Sequence, residues 1–266
     1  MDSVDKNIKI FSSEQDISFS DDWYEYTEDS HFWFEWRLNV LKKLLVQARV
    51  PLDESLKVLD VGGGTGLLRS QIESNSSWII DCADLNMVGL QNVKNGRGGN
   101  YFYDVTDEHD DLVDSYDVVI IFDILEHIHR TSDFLVSVVN HIKPGGYLLV
   151  NVPALQCFFS EFDEIMGHYR RYSKKELQLE IEGLAVDVVD VYYWGMAMLP
   201  LLVARKMFMK AFNFSKKKTI RYGFNFPSCF SKVMDGILKV LMRLEIKLIS
   251  NPPIGTSLML IAQKNK

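Results

Sequence analysis

The chain has 266 residues and a formal net charge of −7, with 47% hydrophobic and 24% charged residues, as in an ordinary globular protein. Its low pI argues against a nucleic-acid partner, because bases cluster only in residues 201–250. Three separated cysteines (Cys82, Cys157 and Cys229) make no C-x-x-C pair, which disfavours a disulfide framework and a zinc site. We find neither a signal peptide nor an apolar run of about 18 residues. We therefore expect a cytoplasmic protein.

The N-terminal part divides into a polar segment and a helix. Residues 1–29 are acidic, and we expect them to be flexible. Residues 30–48 predict a helix that Ser30 can cap, that Pro51 ends, and that carries an apolar stripe including Trp36. Aromatic residues crowd this region. They can pack against a sheet, or the helix can cover a ligand pocket.

A glycine-rich turn follows the first predicted strand of the core. The order is a short apolar run to Val61, the glycines of residues 62–66, and an apolar helix pattern from Leu67. The dinucleotide pattern G-x-G-x-x-G fails at every starting glycine. What fits is D-x-G-x-G-x-G, with Asp60 at its head. An acid there would repel a pyrophosphate and suits a ligand that carries an ammonium group. The alternative is an ordinary strand–helix turn of another doubly wound protein.

Further strands alternate with helices along the chain. We predict strands at residues 78–84, 100–104 and 116–123, a fifth strand that follows the turn Lys143-Pro-Gly-Gly and runs to Val150, and then strands at 186–193 and 257–263. The alternation over the first five strands indicates a parallel sheet with helices on both faces. Asp84 and Asp123 fall where two of these strands end, at the edge where ligands bind in such sheets.

The sequence resembles the class I S-adenosylmethionine (SAM) methyltransferases, and their type 11/12 branch in particular. The resemblance rests on the glycine turn, on Phe122-Asp-Ile-Leu-Glu-His-Ile, on Lys143-Pro-Gly-Gly, on Gly167-His-Tyr-Arg-Arg-Tyr, and on His31-Phe-Trp-Phe-x-x-Arg. It covers residues 30–194 well. It implies an α/β, Rossmann-like, doubly wound and mostly parallel sheet of seven strands in the order 3-2-1-4-5-7-6. Residues 195–252 would then be a helical insertion or lid before the last strand, which lies in residues 253–266.

The resemblance also implies how SAM, and its product S-adenosylhomocysteine, would be held. Asp84 would accept the ribose hydroxyls, with Asp81 as the competitor within the strand. Asp104 would lie near the adenine, or it would only cap a turn. Arg37 would reach the carboxylate of the methionine end. The implied cofactor-binding residues are Arg37, Asp60, Gly62, Gly63, Gly64, Gly66, Asp84, Leu85, Asp104, Val105, Phe122, Asp123 and His127.

Methyl transfer requires alignment and water exclusion, and a base only when the attacking group starts protonated. His127 and His168 are the candidate catalytic residues, and His129 is a third histidine of the same kind. His127 can equally support a neighbouring carboxylate. Tyr169, Arg170 and Arg171 can shape an acceptor pocket, or the arginines can pair with the acidic N-terminal region. We predict no metal site, because the pair His127-x-His129 lacks a third ligand.

Two amphipathic stretches lie within residues 196–249. They can form a lid, a dimer contact or a peripheral membrane contact. We expect a methyltransferase acting on a small-molecule, sugar or lipid-linked acceptor. The alternatives are a Rossmann oxidoreductase and a catalytically silent binding module of the same fold. The oligomeric state is not predicted.

Overall fold

The structure, a computed structural model, describes residues 8–13, 32–211 and 228–266. Its strands are β1 (Ile8–Ile10), β2 (Lys57–Val61), β3 (Ile79–Asp84), β4 (Asn100–Phe102), β5 (Tyr116–Phe122), β6 (Ile142–Pro153), β7 (Val186–Trp194) and β8 (Ser257–Lys264). They form one eight-stranded sheet in the order β1-β4-β3-β2-β5-β6-β8-β7. All neighbours are parallel except β8, which is antiparallel to both β6 and β7.

The described helices are α1 (Phe32–Gln47), α2 (Leu67–Glu73), α3 (Met87–Gln91), α4 (Thr131–Asn140), α5 (Glu161–Ile165), α6 (Lys174–Ile181), α7 (Leu199–Ala211) and α8 (Ser228–Leu248). Two large apolar clusters cover the sheet. One contains Leu135 of α4 and Leu177 of α6. The other contains Trp36 of α1, Leu68 of α2 and Met242 of α8. The sheet is therefore doubly wound, as predicted.

Strand β5 is central because its side chains are apolar on both faces. From Val118 to Ile121 every residue is fully buried, which suits a parallel strand covered by helices on both sides. Strand β6 pairs with it in an interrupted register, from Tyr116–Ile142 to Val118–Tyr147. The predicted turn at Lys143-Pro-Gly-Gly is therefore a bulge inside β6.

The predicted order of seven strands is confirmed, but the predicted number of strands is wrong. Strand β1 adds an eighth strand, parallel to β4 at the edge of the sheet. It lies in the segment 1–29, which we expected to be flexible. Three residues in a polar context carry too little periodicity to predict a strand. Ser30 and His31 lie outside the described residues, and so does most of the acidic segment.

The insertion between β7 and β8 is helical in its described parts, α7 and α8. Buried Glu245 of α8 accepts hydrogen bonds from the backbone N–H groups of Gly195, Met196 and Ala197, at 2.9, 3.2 and 2.8 Å. This carboxylate joins α8 to the chain that leaves β7. None of the helices in the described ranges is long and apolar enough to cross a membrane.

Candidate functional site

The glycine turn after β2 folds back onto the end of β3. Gly62 and Gly63 donate their N–H groups to the carbonyl oxygen of Ala83, at 2.8 and 3.1 Å. Gly62 has a φ of +70°, and a Cβ there would lie 2.2 Å from the side chain of Ile124. The backbone conformation favours glycine, and a side chain there would also displace the end of Ile124. The turn therefore presents bare backbone to the space above the sheet.

Asp84 holds the same turn from the end of β3. Its carboxylate accepts hydrogen bonds from the backbone N–H groups of Gly64 and Asn86, each at 2.7 Å. Burial raises the pKa of Asp84. The competitor Asp81 instead accepts from the backbone N–H of Gly99 and from the hydroxyl of Tyr116, inside the fold. Of these two acids, Asp84 is the one that lines the cavity.

Asp60 lies beneath the turn and is only 2% exposed. Within the described parts of the chain, its Oδ2 has no hydrogen-bond partner. Burial raises the pKa of Asp60 to about 7, although Arg37 and Arg69 act in the opposite direction. A buried carboxylate that lines a cavity and keeps an oxygen without a partner suits a cationic ligand group.

A cavity of about 500 Å³ lies above the carboxyl ends of the central strands. Its size is within the roughly 300–1,000 Å³ usual for small-molecule sites. The following predicted residues line it: Arg37, Asp60, Gly62, Gly63, Gly64, Asp84, Leu85, Asp104, Val105, Phe122, Asp123, His127 and His168. Asp104 also caps its own turn by accepting from the N–H and hydroxyl of Thr106, at 2.9 and 2.7 Å. Both interpretations of Asp104 are thus compatible with its position.

Arg37 belongs to a polar network that joins α1 to the ends of three strands. Its Nη1 donates to Asp123 at 2.7 Å, and the other oxygen of Asp123 accepts from the amide of Asn151 at 2.6 Å. The carbonyl oxygen of Asn151 accepts from the indole N–H of Trp194 at 2.9 Å. The Arg37 guanidinium also lies over the ring of Phe122, 5.5 Å from its centroid. Helix α1 is thereby fixed to the ends of β5, β6 and β7. Sequence analysis missed Asn151 and Trp194, whose roles depend on this convergence.

Two histidines that line the cavity, His127 and His168, come from separate segments and lie next to each other. His127 follows β5, and His168 follows α5. Their rings lie edge to face with centroids 4.7 Å apart. His168 Nδ1 lies 3.1 Å from Oδ1 of Asp163, which is fully buried. The same carboxylate accepts from Arg171 Nε at 2.7 Å and from the backbone N–H of Ser160 at 2.9 Å.

The charges around these histidines are set by burial and by these partners. Burial alone would raise the pKa of Asp163, but hydrogen bonds from His168 and Arg171 lower it to about 2. Asp163 is therefore ionised and accepts hydrogen bonds, so His168 Nδ1 carries a proton. Burial, followed by the neighbouring His168, lowers the pKa of His127 to about 4. Burial, followed by Asp123, raises the pKa of Glu126 well above its usual range.

The structure also places three metal-ligating side chains close together. Ligand atoms of Glu126, His127 and His168 lie within 4.8 Å of one another. We predicted no metal site because spacing along the chain offered His127 only His129 as a partner. Glu126 is adjacent to His127 in the sequence and the fold brings His168 to this pair, so the three groups offer ligand atoms to one cation. His129 instead packs against the ring of Tyr169, 5.3 Å between centroids.

Four predicted site residues do not line the cavity. Gly66 precedes α2 with a φ of +69°. Tyr169 is exposed at the surface. Arg170 donates to the carbonyl oxygens of residues 128 and 129, at 3.3 and 2.8 Å, and Arg171 is bound to Asp163. Each arginine has a partner inside the fold, so neither pairs with the acidic N-terminal region in the described residues. Trp33 and Phe34 of α1 line the cavity, as expected if the aromatic-rich helix covers a ligand pocket, and so do Phe162 and Met166, which sequence analysis missed.

Residues 33–196 match the model of a protein family described as a methyltransferase domain. The ubiquinone biosynthesis O-methyltransferase of Rickettsia typhi is 28% identical over 136 residues, which are 47% of this chain and 54% of that protein. The protein of the same name from Rickettsia felis is 27% identical over 161 residues, which are 57% of this chain and 62% of that protein. The matches thus span little more than half the length of these two relatives.

Solved structures share the fold at low sequence identity. Phosphoethanolamine N-methyltransferase 2 of Haemonchus contortus, in complex with SAM, aligns with a TM-score of 0.53 and 18% identity, covering 92% of this chain and 60% of that chain. A SAM-dependent methyltransferase from Archaeoglobus fulgidus aligns with a TM-score of 0.50 and 16% identity, covering 88% of this chain and 99% of that chain.

Proposed function

Because the chain belongs to the class I SAM-dependent methyltransferases, we propose that it transfers the methyl group of SAM to a hydroxyl of an acceptor with an apolar body. The observation that carries the acceptor part is the Asp163–His168 pair at one end of the cavity. A hydroxyl must lose its proton when it is methylated, whereas many other acceptors need no base. The relatives' shared name, O-methyltransferase, agrees with a hydroxyl acceptor.

The residues along β2, β3 and β4 fit the cofactor. Asp60, whose Oδ2 has no partner among the described residues, would accept from the ammonium group, and Asp84 has lone pairs left for the ribose hydroxyls. Asp104 and Val105 would border the adenine. Bound SAM supplies a methyl group on a sulfonium, which is already a good leaving group. The remaining work of the chain is to align the acceptor, exclude water and receive a proton.

In this proposal His168 is the general base. Asp163 is ionised and accepts a hydrogen bond from Nδ1–H, which leaves the lone pair on Nε2 for the acceptor hydroxyl. As the acceptor oxygen forms its bond to the methyl carbon, its proton passes to Nε2, and the imidazolium is stabilised by Asp163. Arg171 and Ser160 keep that carboxylate in place. His127, with its lowered pKa, stays neutral beside His168 and does not oppose the protonated ring by charge.

Apolar side chains that line the same cavity as His168 define the class of acceptor. Trp33 and Phe34 come from the first turn of α1, and Phe162 and Met166 come from α5 and the residue that follows it. Such rings and a thioether contact apolar surface and exclude water, and they offer little to a strongly charged acceptor. A ring-bearing or alkyl-substituted alcohol or phenol fits this environment better than a free sugar.

The test is methyl transfer from radiolabelled SAM to a panel of phenols, alcohols and amines with apolar substituents. We expect His168→Asn to lower kcat about 100-fold or more and to leave the affinity for S-adenosylhomocysteine unchanged by calorimetry. The variant should regain activity at high pH with phenols, because these acceptors then ionise by themselves. His129→Asn is the matched control, since His129 does not line the cavity.

Three results would overturn the proposal. An unchanged kcat in His168→Asn would show that His168 is not the general base. Activity restricted to amines would contradict the hydroxyl acceptor. Loss of activity with a chelator, restored by a divalent cation, would assign Glu126, His127 and His168 to a metal instead of proton transfer.

A further inference from the structure

Helix α8 carries a continuous row of exposed aliphatic side chains. Ile237, Leu241, Leu244 and Leu248 are 48%, 38%, 46% and 71% exposed, and they follow one another at helical spacing of three and four residues. Val240, beside them, is 54% exposed. At about 1.5 Å per residue the row is roughly 16 Å long. Single exposed aliphatic residues are common on proteins, whereas a continuous row indicates a contact surface.

The opposite side of the same helix already has its partners. Leu238 and Met242 are buried in the apolar cluster that contains Trp36. Glu245 is only 5% exposed and is engaged by backbone N–H groups of the chain after β7. The helix is therefore anchored to the domain through one face, and its exposed row needs another explanation than packing on α1.

The charges beside the row are positive. Arg243, whose side chain is 69% exposed, and Lys247 occupy positions adjacent to Val240 and Leu244 on the helix. The only acid between residues 236 and 248 is Glu245, which is buried on the other face. The exposed face thus combines aliphatic side chains with two bases, of which Arg243 also lies 3.5 Å from Glu35 of α1 and Lys247 is exposed. This combination is typical of a helix that lies on an anionic membrane surface.

A protein partner fits the row less well. Binding hot spots between proteins are enriched in Trp, Tyr and Arg, whereas Leu and Val are under-represented. Lysine is depleted at such interfaces as well. The exposed row contains Ile, Val and Leu without an aromatic residue, and Lys247 lies at its edge.

The position of α8 links this face to the cavity. The N–H of Phe32, at the start of α1, donates to Asp235 of α8 at 3.3 Å. Glu35 of α1 lies 3.6 Å from Lys239 and 3.5 Å from Arg243. The next residues of that first turn, Trp33 and Phe34, line the cavity. A surface that binds α8 would therefore lie close to the turn of α1 that carries Trp33 and Phe34 and lines the cavity.

We propose that the exposed face of α8 docks the protein on the surface of a bilayer that contains anionic lipids, where an apolar acceptor would be concentrated. The aliphatic row enters the boundary between headgroups and acyl chains, and Arg243 and Lys247 contact lipid phosphates. This proposal concerns location. It stands or fails independently of the base assigned to His168.

The experiment is sedimentation of the full chain with vesicles of phosphatidylcholine, with and without phosphatidylglycerol, and without methyl donor. We expect binding to the mixed vesicles, with weaker binding at high salt. Leu241→Gln combined with Leu244→Gln should weaken the partition coefficient at least about tenfold. Arg243→Gln combined with Lys247→Gln should weaken it roughly fivefold per base, on phosphatidylglycerol vesicles only. Leu179→Gln is the matched control, because Leu179 is 54% exposed on α6.

Circular dichroism melting of each variant shows whether α8 remains folded, and a variant that melts early is replaced by the single substitution Leu248→Gln. Absence of vesicle binding by the wild-type chain would overturn the proposal. So would equal losses in the Leu179 control. A wild-type dimer in analytical ultracentrifugation that the double glutamine variant converts to monomer, with unchanged vesicle binding, would assign the face to a second copy of the chain.

Discussion

Replacing Asp163 with Asn keeps the size of a fully buried side chain and removes its charge. In the folded protein this carboxylate accepts hydrogen bonds from His168, Arg171 and Ser160. They lower its pKa from the usual 3.8 to about 2. That difference corresponds to about 2 kcal/mol of stability contributed by the ionised form. Asn cannot accept as strongly and brings an N–H₂ group toward donors, so the loss at neutral pH is expected to reach at least this size.

The sign of the pH dependence follows from the lowered pKa. The contribution of Asp163 is fully present above about pH 4 and is lost as the pH falls through about 2. Denaturant unfolding should therefore show the largest difference between the wild type and Asp163→Asn near pH 7, and a smaller difference near pH 3. Glu161→Gln, at an exposed position of the same helix, is the control and should change stability little.

The same substitution tests the proposed base. With Asn at position 163 the Nδ1 proton of His168 has no anionic acceptor, and the wrong tautomer becomes accessible. We expect kcat to fall about 100-fold or more, with unchanged binding of S-adenosylhomocysteine. Equal stability at pH 7 and pH 3 in the two proteins, or an unchanged kcat, would refute the reasoning.

Three other perturbations have expected outcomes. The pKa of Asp60 near 7 predicts that S-adenosylhomocysteine binds roughly tenfold more tightly at pH 8 than at pH 6 by calorimetry, because the ionised fraction of Asp60 rises by about that factor. The variant Asp60→Asn should lose this pH dependence. If the variant kept it, Asp60 would not be the group that binds the ammonium. Gly62→Ala should destabilise the protein by about 1–2 kcal/mol or more, since its φ is +70° and a Cβ would meet Ile124 at 2.2 Å; a melting temperature equal to that of the wild type would rule this out. Glu245→Ala leaves three N–H groups of residues 195–197 without their acceptor and should lower the free energy of unfolding, measured by thermal unfolding, by about 3 kcal/mol. A decrease below about 1 kcal/mol would show that water replaces the carboxylate.

Features that depend on neighbours in sequence were predictable. The glycine turn, the strand that precedes it and Asp84 at the end of the next strand all follow from local patterns of apolar residues and turn residues. The order of seven strands came from the family resemblance, and the structure confirms it. Parallel strands end at one edge of the sheet, so placing the acids of several strands around one cavity also required only their positions along the chain.

Tertiary structure alone decided the chemistry at the other end of the cavity. Asp163 lies in α5 and His168 follows that helix, five residues after Asp163, whereas His127 follows β5. Only the packing of α5 beside the turn after β5 brings His127 to this pair. Arg170 and Arg171 look available in the sequence, yet each is bound inside the fold. Strand β1 exists because β4 offers it an edge, not because its three residues favour a strand. The physical reason is that hydrophobic periodicity and turn chemistry act over a few residues, whereas a charge or hydrogen bond between loops depends on distances that the whole sheet sets.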